Sequence, residues 1–214
     1  MYAKFFKRFF DFVLSLTALI VLSPVLLILT IVGAIAMKGN PFFVQKRPGM
    51  INKKTGQERI ISLIKFRTMT NERDAEGKLL PDDKRLNKYG KFLRSTSLDE
   101  LPELINILVG QLSCCGPRPL MVKYIKLYSP EQRRRHEVRP GLTGYAQAYG
   151  RNSLTWEEKF EKDVYYVDHI SLWFDIKILF KTVAVVLKRE GISSETSATM
   201  EEFKGSPKQE ETYV

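Results

Sequence analysis

Apolar positions dominate one uninterrupted stretch near the start of the chain: from Phe12 to Met37 there is no charged side chain. The run is roughly 26 residues, where about 20 in helical form cross a bilayer. A secretory signal with a basic start at Lys4, Lys7 and Arg8 and a cleavage-like Ala34-Ile35-Ala36 needs a shorter apolar core, so it is set aside. A straight span competes with a hairpin. Ser23-Pro24 falls near the middle, where proline removes a backbone hydrogen bond and predicts a kink. Basic residues flank both ends, Lys4, Lys7 and Arg8 before and Lys38, Lys46 and Arg47 after, and positive charge marks the cytoplasmic side. Each half is about 12 residues, roughly 18 Å of helix, enough to enter one leaflet and return. A helix-break-helix hairpin with both ends in the cytosol is therefore the preferred reading. Just before it, Lys4, Lys7, Arg8 and Asp11 share one side of a helix and Phe5, Phe6, Phe9 and Phe12 much of the other, which suits a membrane interface.

The pattern then changes. Phe42-Phe43-Val44 and Ile60 to Ile64 flank the turn-forming residues 52–57, which predicts a β-hairpin within 42–69. Residues 70–90 are charged, with Gly77, Pro81 and Gly90 as breakers. A helix through Leu101, Leu104, Ile105 and Leu108 is expected to stop near Gly110. Residues 114–119 read as irregular, 121–135 as helical, and 139–152 as a glycine-rich loop. Two helices follow, over about 154–168 and 172–189. The stripe Leu172, Ile176, Leu179, Val183 and Val186 in the second reads as core. From Ser193 the chain is polar and is expected to lack a packed structure.

Composition narrows the partners. A formal net charge of +10 favours polyanions: nucleic acid, an anionic lipid surface or phosphorylated substrates. Common zinc-finger and RRM signatures are absent, which disfavours nucleic acid. The two cysteines, Cys114 and Cys115, are adjacent, and read as small buried apolar residues of a reduced compartment.

Candidate chemistry centres on Arg94-Ser-Thr-Ser-Leu-Asp99-Glu100-Leu-Pro102. Ser97 and Glu100 have capping-box spacing, and Pro102 fits a first helical turn, so a purely structural role accounts for this pattern. A carboxylate at a helix start also stays ionised, and can serve as nucleophile or metal ligand. Cations cluster in irregular segments: Lys65 and Arg67, Arg118 in Gly-Pro-Arg-Pro, and Arg139 and Arg151 around Gly141, Gly144 and Gly150. Arginines held beside prolines and glycines suit phosphate oxygens, and glycines let backbone N–H groups approach an anion. Together they suggest a diphosphate site.

In order along the chain stand Lys7-Arg8-x-x-Asp11, Ser23-Pro24, Lys65-Phe66-Arg67-Thr68-Met69, Ser97-Leu98-Asp99-Glu100-Leu101-Pro102 and Gly116-Pro117-Arg118-Pro119. Arg139-Pro140-Gly141-x-Thr143-Gly144, Gly150-Arg151-Asn152, Asp163-x-x-Tyr166 and Asp175 follow. This series, over about residues 1–190, resembles the small monotopic phosphoglycosyl transferases of the bacterial sugar transferase family. In length the chain is similar to the short members that open bacterial N-linked protein glycosylation. One departure is Gly110-Gln111-Leu112-Ser113, where the family usually has Gly-Asp-Met-Ser. That puts a structural hydrogen bond in doubt.

The resemblance implies an α+β, mainly α protein with a re-entrant membrane helix hairpin, interfacial amphipathic helices and a small β-hairpin. Residues 1–38 would form the membrane element, 39–190 the catalytic domain on the cytoplasmic face of the bacterial inner membrane, and 191–214 a polar tail. It implies transfer of a phosphosugar from a UDP-sugar to undecaprenyl phosphate through a phosphosugar-aspartyl intermediate on Asp99, with release of UMP. Mg2+ held partly by Asp99 is expected to offset the diphosphate charge, with Glu100 supporting. Lys65, Arg67, Arg94, Arg118, Arg139, Arg151 and Asp163 are the expected substrate contacts. UDP-di-N-acetylbacillosamine is the expected donor, against N-acetylgalactosamine or another hexose. An anchored lipid- or partner-binding protein, and a phosphatase acting on UDP-sugars or lipid diphosphates, stand as alternatives. No nucleic acid is expected as a partner.

Overall fold

A computed structural model describes residues 2–150, 153–188 and 202–206. The long apolar run is one helix, α1 (Lys7–Ala36), entered through a π-helical turn at Tyr2–Phe6. Among the described residues it is the one helix long and apolar enough to cross a membrane. Pro24 lies inside it without ending it. Proline leaves the carbonyl four residues back without its N–H partner, and here the Ser23 hydroxyl donates to that carbonyl, Ile20 O, at 2.8 Å. The Ser-Pro pair thus carries its own repair, and the expected break is not a gap in the helix.

The polarity of α1 is reversed relative to a water-soluble helix. Its buried residues are Lys7, Asp11, Ser15, Leu29 and Gly33. Lys7 Nζ meets Asp175 Oδ2 at 2.6 Å. Arg8 donates to the carbonyls of Ile107 and Leu108 at 2.6 and 2.7 Å. Asp11 Oδ1 accepts from Ser113 Oγ and from the Cys114 N–H at 3.0 and 2.9 Å. The outward side carries Phe5, Phe6, Phe9 and Phe12, then Val21 at 68% and Ile35 at 74% exposure. Lys7 and Arg8, read from sequence as flanking positive charge, are therefore spent on internal partners.

Beyond α1 comes the expected hairpin, β1 (Phe42–Ile51) antiparallel to β2 (Glu58–Phe66), with Phe42 opposite Phe66 and Gln45 opposite Leu63. Ile61 and Leu63 face inward at period two and pack with Leu104, Ile107 and Leu112, and Ala18, Leu19 and Leu22 of α1 join them. Burying each such Leu or Ile contributes roughly 1.5–3 kcal/mol. Farther along α1, Leu26 and Leu29 pack with Phe66 and Leu93. Short helices α2 (Asp82–Arg85), α3 (Lys88–Thr96) and α4 (Glu103–Leu108) follow, the last stopped as expected by Gly110 at φ +82°. Gly90 of α3 is required by contact: a Cβ there would sit 1.8 Å from Thr68 O.

Three expectations need correction. Residues 114–119 are not wholly irregular, because β3 (Ser113–Cys115) pairs in parallel with β4 (Gly141–Thr143). Gly141 serves that crossing: its Cβ would meet Gly116 N at 2.1 Å, and its N–H is held by Pro117 O at 3.0 Å. The glycine is used for strand packing instead of anion approach. Residues 121–135 are not one helix. Val122–Leu127 is 3-10, and Ser129 caps a new turn, α5 (Pro130–Arg133), followed by a 3-10 turn at Arg134–His136.

After α6 (Tyr145–Ala148), a Thr155–Glu158 capping box opens α7 (Trp156–Asp168), and α8 (Leu172–Lys188) closes the set. Third, the stripe on α8 is not all core. Asp175, Ile178 and Val185 are buried, whereas Leu172, Val183, Trp173 (65%) and Phe180 (75%) are exposed. The expected polar tail falls mostly outside the described residues. Of its described part, Phe203 is buried with Tyr124 and Phe160.

Candidate active site

Ser97 ends α3 in the left-handed conformation, φ 56° and ψ 19°, and turns the chain into a 3-10 turn at Leu98–Glu100. A serine held there costs on the order of 1 kcal/mol and marks a position fixed by its surroundings. Ser97 makes no side-chain cap, so the capping box suggested by its spacing to Glu100 does not form. Glu100 is engaged elsewhere.

The adjacent acids are treated oppositely. Glu100 Oε1 lies 2.7 Å from Lys65 Nζ and also accepts from Arg118 Nη2, while Arg118 Nη1 reaches Oε2 at 3.4 Å. Lys65 is shared with Glu103, 3.0 Å away. Burial opposes ionisation of Glu100, but Arg118 and Lys65 outweigh it and hold its carboxyl well below the usual range. Asp99 makes no ion pair among the described residues. Burial, then repulsion from Glu100, pushes its carboxyl up to about 6, with Lys65 and Arg118 only partly offsetting this. Asp99 is thus a carboxyl that ionises near neutrality and has no ion-pair partner among the described residues. Such a group can attack a phosphorus centre or ligate a cation.

Beside this pair is a small polar cleft lined by Arg47, Leu63, Lys65, Glu103, Arg118 and Pro119. Arg47 hydrogen-bonds Gln45 Oε1 at 2.7 Å and has no carboxylate partner among the described residues. Burial, then neighbouring Arg118, lower its pKa, with Glu103 partly offsetting them.

The structure brings together Asp99, Glu100, Lys65 and Arg118. Arg94 donates to Thr68 Oγ1 at 3.1 Å and Arg67 to Phe42 O at 3.3 Å, at the junction between the chain leaving β2 and α3. Two other expected contacts stand apart from the cluster. Arg139 donates to Gly110 O at 3.1 Å and has Arg8 and Arg59 as charged neighbours, because it leads into β4 beside the end of α4. Asp163 is buried against Arg135, at 2.6 and 3.0 Å, and Arg135 in turn donates to Arg118 O at 2.7 Å. It supports the arginine loop from behind. Arg151 lies outside the described residues.

Arg47 reads from the sequence only as a charge flanking the apolar run, and Glu103 and Arg135 do not read as site residues. Glu103 carried a signal, since it follows Asp99 at helical spacing, whereas Arg135 sits in an unremarkable basic run. The substituted Gln111 keeps a hydrogen bond, its Oε1 accepting from Asn106 Nδ2 at 2.7 Å. Asn106 also bridges the Ile64 N–H and Ser62 O of β2, at 3.0 and 2.8 Å, which fixes α4 to the strand that carries Lys65. Both cysteines are free, and burial pushes their thiols up. They take no part in the cluster.

Comparison with known proteins adds a second line of observation. A family model described as bacterial sugar transferase matches residues 2–189. EpsL of Bacillus subtilis strain 168, described as an uncharacterized sugar transferase, is 48% identical over 200 residues, which is 94% of this chain and 96% of that protein. A Klebsiella pneumoniae UDP-glucose:undecaprenyl-phosphate glucose-1-phosphate transferase is 40% identical over 188 residues, covering 83% of this chain and 39% of its own length. A Salmonella typhimurium undecaprenyl-phosphate galactose phosphotransferase is 34% identical over 207 residues, 88% of this chain and 42% of its own. The chain thus spans nearly all of the Bacillus relative but about two-fifths of the other two.

Proposed function

Because the chain belongs to the bacterial sugar transferase family, we propose that it transfers a phosphosugar from a UDP-sugar to undecaprenyl phosphate, with Asp99 as nucleophile. The carrying observation is the division of labour between adjacent acids: Glu100 is ion-paired twice, and Asp99 presents a carboxylate with no cation of its own. The names of the Klebsiella and Salmonella relatives supply the substrate classes.

In this reading the donor diphosphate enters the cleft against Arg47, Lys65 and Arg118. An Asp99 carboxylate oxygen attacks the phosphorus bearing the sugar. The bond from that phosphorus to the bridging oxygen breaks, and UMP leaves with the electron pair. An oxygen of undecaprenyl phosphate then attacks the same phosphorus and Asp99 departs as carboxylate, giving the lipid diphosphate sugar. Glu100 holds Lys65 and Arg118 in place throughout.

Magnesium fits this arrangement. Of the cations lining the cleft, Lys65 is already paired with Glu100 and Glu103 and Arg118 with Glu100, which leaves Arg47 to meet an arriving diphosphate and much of the diphosphate charge to be offset. No group of three or more metal-ligating side chains is present among the described residues. Magnesium is commonly held by one or two carboxylates plus substrate phosphates, which here means Asp99 and the donor itself. Bound there, it would offset phosphate charge.

The membrane reading rests on how α1 is fastened. Near its start, Arg8 is tied to α4. Near its end, Ala36 O accepts from Asn87 Nδ2 at 3.0 Å and Leu29 O from Tyr89 Oη at 2.8 Å. Both ends are therefore attached to the same domain, whereas a span would part them by about 30 Å of hydrocarbon. Together with the outward apolar faces of α1 and α8, this supports a monotopic enzyme on the cytoplasmic face of the bacterial inner membrane, α1 entering and leaving one leaflet.

The test is UMP release by detergent-solubilised protein with magnesium, with and without undecaprenyl phosphate. The donor panel includes UDP-di-N-acetylbacillosamine, UDP-N-acetylgalactosamine, UDP-glucose and UDP-galactose. Lipid-dependent release of UMP identifies the sugar. Continuous release without lipid points to hydrolysis instead.

A further inference from the structure

Beyond the residues matched by the family model lies a short segment, 202–206, that closes an aromatic cage. Phe203 is 4% exposed. Its ring lies 5.0 Å from that of Phe160, 5.4 Å from Trp156, 5.7 Å from Tyr124 and 5.9 Å from Tyr128, stacked on the last. Polar contacts fix the segment on either side. The Phe203 N–H donates to Tyr124 Oη at 3.3 Å, Lys123 pairs with Glu202 at 2.7 Å, and Gln132 Nε2 donates to Ser206 Oγ at 2.6 Å. A buried phenyl ring touching four aromatics is a specific seat, with each aromatic pair adding about 0.5–1.5 kcal/mol beyond area burial.

The cage is also the floor beneath the arginine loop. Arg135, 2% exposed, lies with its guanidinium 5.7 Å from the ring centre of Tyr128 and 5.5 Å from that of Phe160. Its Nη1 donates to Tyr128 Oη at 3.2 Å, and its Nη2 bridges Asp163 and Arg118 O. Arg118 then grips Glu100. A continuous chain of contacts runs from Phe203 through Tyr128 and Phe160 to Arg135, and from there to Arg118 and the site.

We propose that Phe203 is a positioning residue: by filling the cage it locks Arg135, and through Arg135 the Arg118 loop, in the geometry that the donor diphosphate requires. This rests on the phosphoglycosyl transfer reading for its effect on rate, but not for its effect on the loop. Without the ring, Tyr128 and Phe160 lose one wall, Arg135 loses its fixed aromatic bed, and the carbonyl of Arg118 loses a fixed donor. A misplacement of about 1 Å at an anchoring cation can cost on the order of a hundredfold in rate.

The experiment uses the full chain and compares wild type, Phe203→Ala, Phe203→Leu, Arg118→Ala and the Phe203→Ala/Arg118→Ala double variant. Hydrogen exchange is read first. The proposal expects faster exchange at residues 116–121 in Phe203→Ala, with the β1–β2 hairpin unchanged, and near-wild-type exchange in Phe203→Leu, which keeps an apolar plug. Unchanged exchange at 116–121, or acceleration uniform over the whole chain, overturns it. UMP release is read second. Phe203→Ala is expected to lose about tenfold or more, and the double variant to be no worse than Arg118→Ala, since both act through one group. Losses that multiply overturn the positioning role. Should wild type release no UMP from any donor, the transfer reading fails alone, and the exchange data still decide whether Phe203 holds the Arg118 loop.

Discussion

Lys65 and Glu100 meet at 2.7 Å one residue away from an acid, Asp99, that pairs with no cation among the described residues. Neighbours in sequence are thus treated oppositely, Glu100 ion-paired twice and Asp99 left without a cation.

That division makes Asp99→Asn informative. UMP release should fall to the level of a protein-free control. Stability should not fall with it. A carboxyl raised to about 6 in the folded protein, against about 4 unfolded, makes the native state bind more protons between those values, so its stability declines as pH rises through that window. An asparagine escapes this, and a gain of roughly 1–2 kcal/mol is expected. Urea denaturation beside the UMP assay checks both halves.

The acid side of the rate profile follows from the same group. Attack needs the carboxylate, so UMP release at limiting donor should drop about tenfold per pH unit below about 6. Glu100→Gln removes the adjacent negative charge and leaves Lys65 and Arg118 facing Asp99. Both changes favour ionisation, so the acid limb of whatever activity survives should move to lower pH.

Glu100→Gln should also weaken the fold, unlike Asp99→Asn. It leaves Lys65, which is mostly buried, with Glu103 alone, and frees Arg118. Discounting for the part of Arg118 that meets solvent, a loss of about 1–3 kcal/mol is expected. A melting curve unchanged from wild type would remove the ion-pair cluster from the account.

Arg47→Ala tests the cation that lines the cleft without a carboxylate partner. Its protein contact is a hydrogen bond to Gln45, so the melting curve should stay close to that of wild type. The KM for the UDP-sugar should rise about 10–100-fold, the range expected for one lost charge-assisted phosphate contact. An unchanged KM would place the donor elsewhere.

Replacing Ser23 with Ala and Pro24 with Leu restores the missing N–H and removes the substitute donor to Ile20 O. A regular helix through the apolar run should favour a spanning topology. Accessibility of cysteines introduced as Lys4→Cys and Asn40→Cys reports it, and finding both in the cytosol in this variant would sink the expectation.

How much of this was legible in the sequence depends on the range of the forces involved. The β-hairpin, the stop at Gly110 and the helices 156–168 and 172–188 follow from local periodicity and caps. Asp99, Glu100, Lys65 and Arg118 were readable as a motif series, and the fold brings them together. The pairings were not readable. Nothing local says that Glu100 will take both cations, or that Asp163 will be spent on Arg135. The β3–β4 ladder is two paired positions long, too short for a periodic signal. Reading α8 as core failed because an apolar stripe looks the same whether it meets protein or faces outward.

The double fastening of α1 has a consequence for the reach of the enzyme. A catalytic head on a flexible tether samples many heights above a bilayer, and its meeting with an embedded substrate depends on tether length. Here the apolar helix is bolted along the domain from Arg8 to Ala36, so in the proposed topology the altitude of Asp99 over the lipid plane is a constant of the fold. The enzyme acts as a fixed gauge. If the proposed transfer holds, a lipid phosphate must meet Asp99 at that level, so acceptors are selected by the depth at which their headgroup rides as well as by their chemistry.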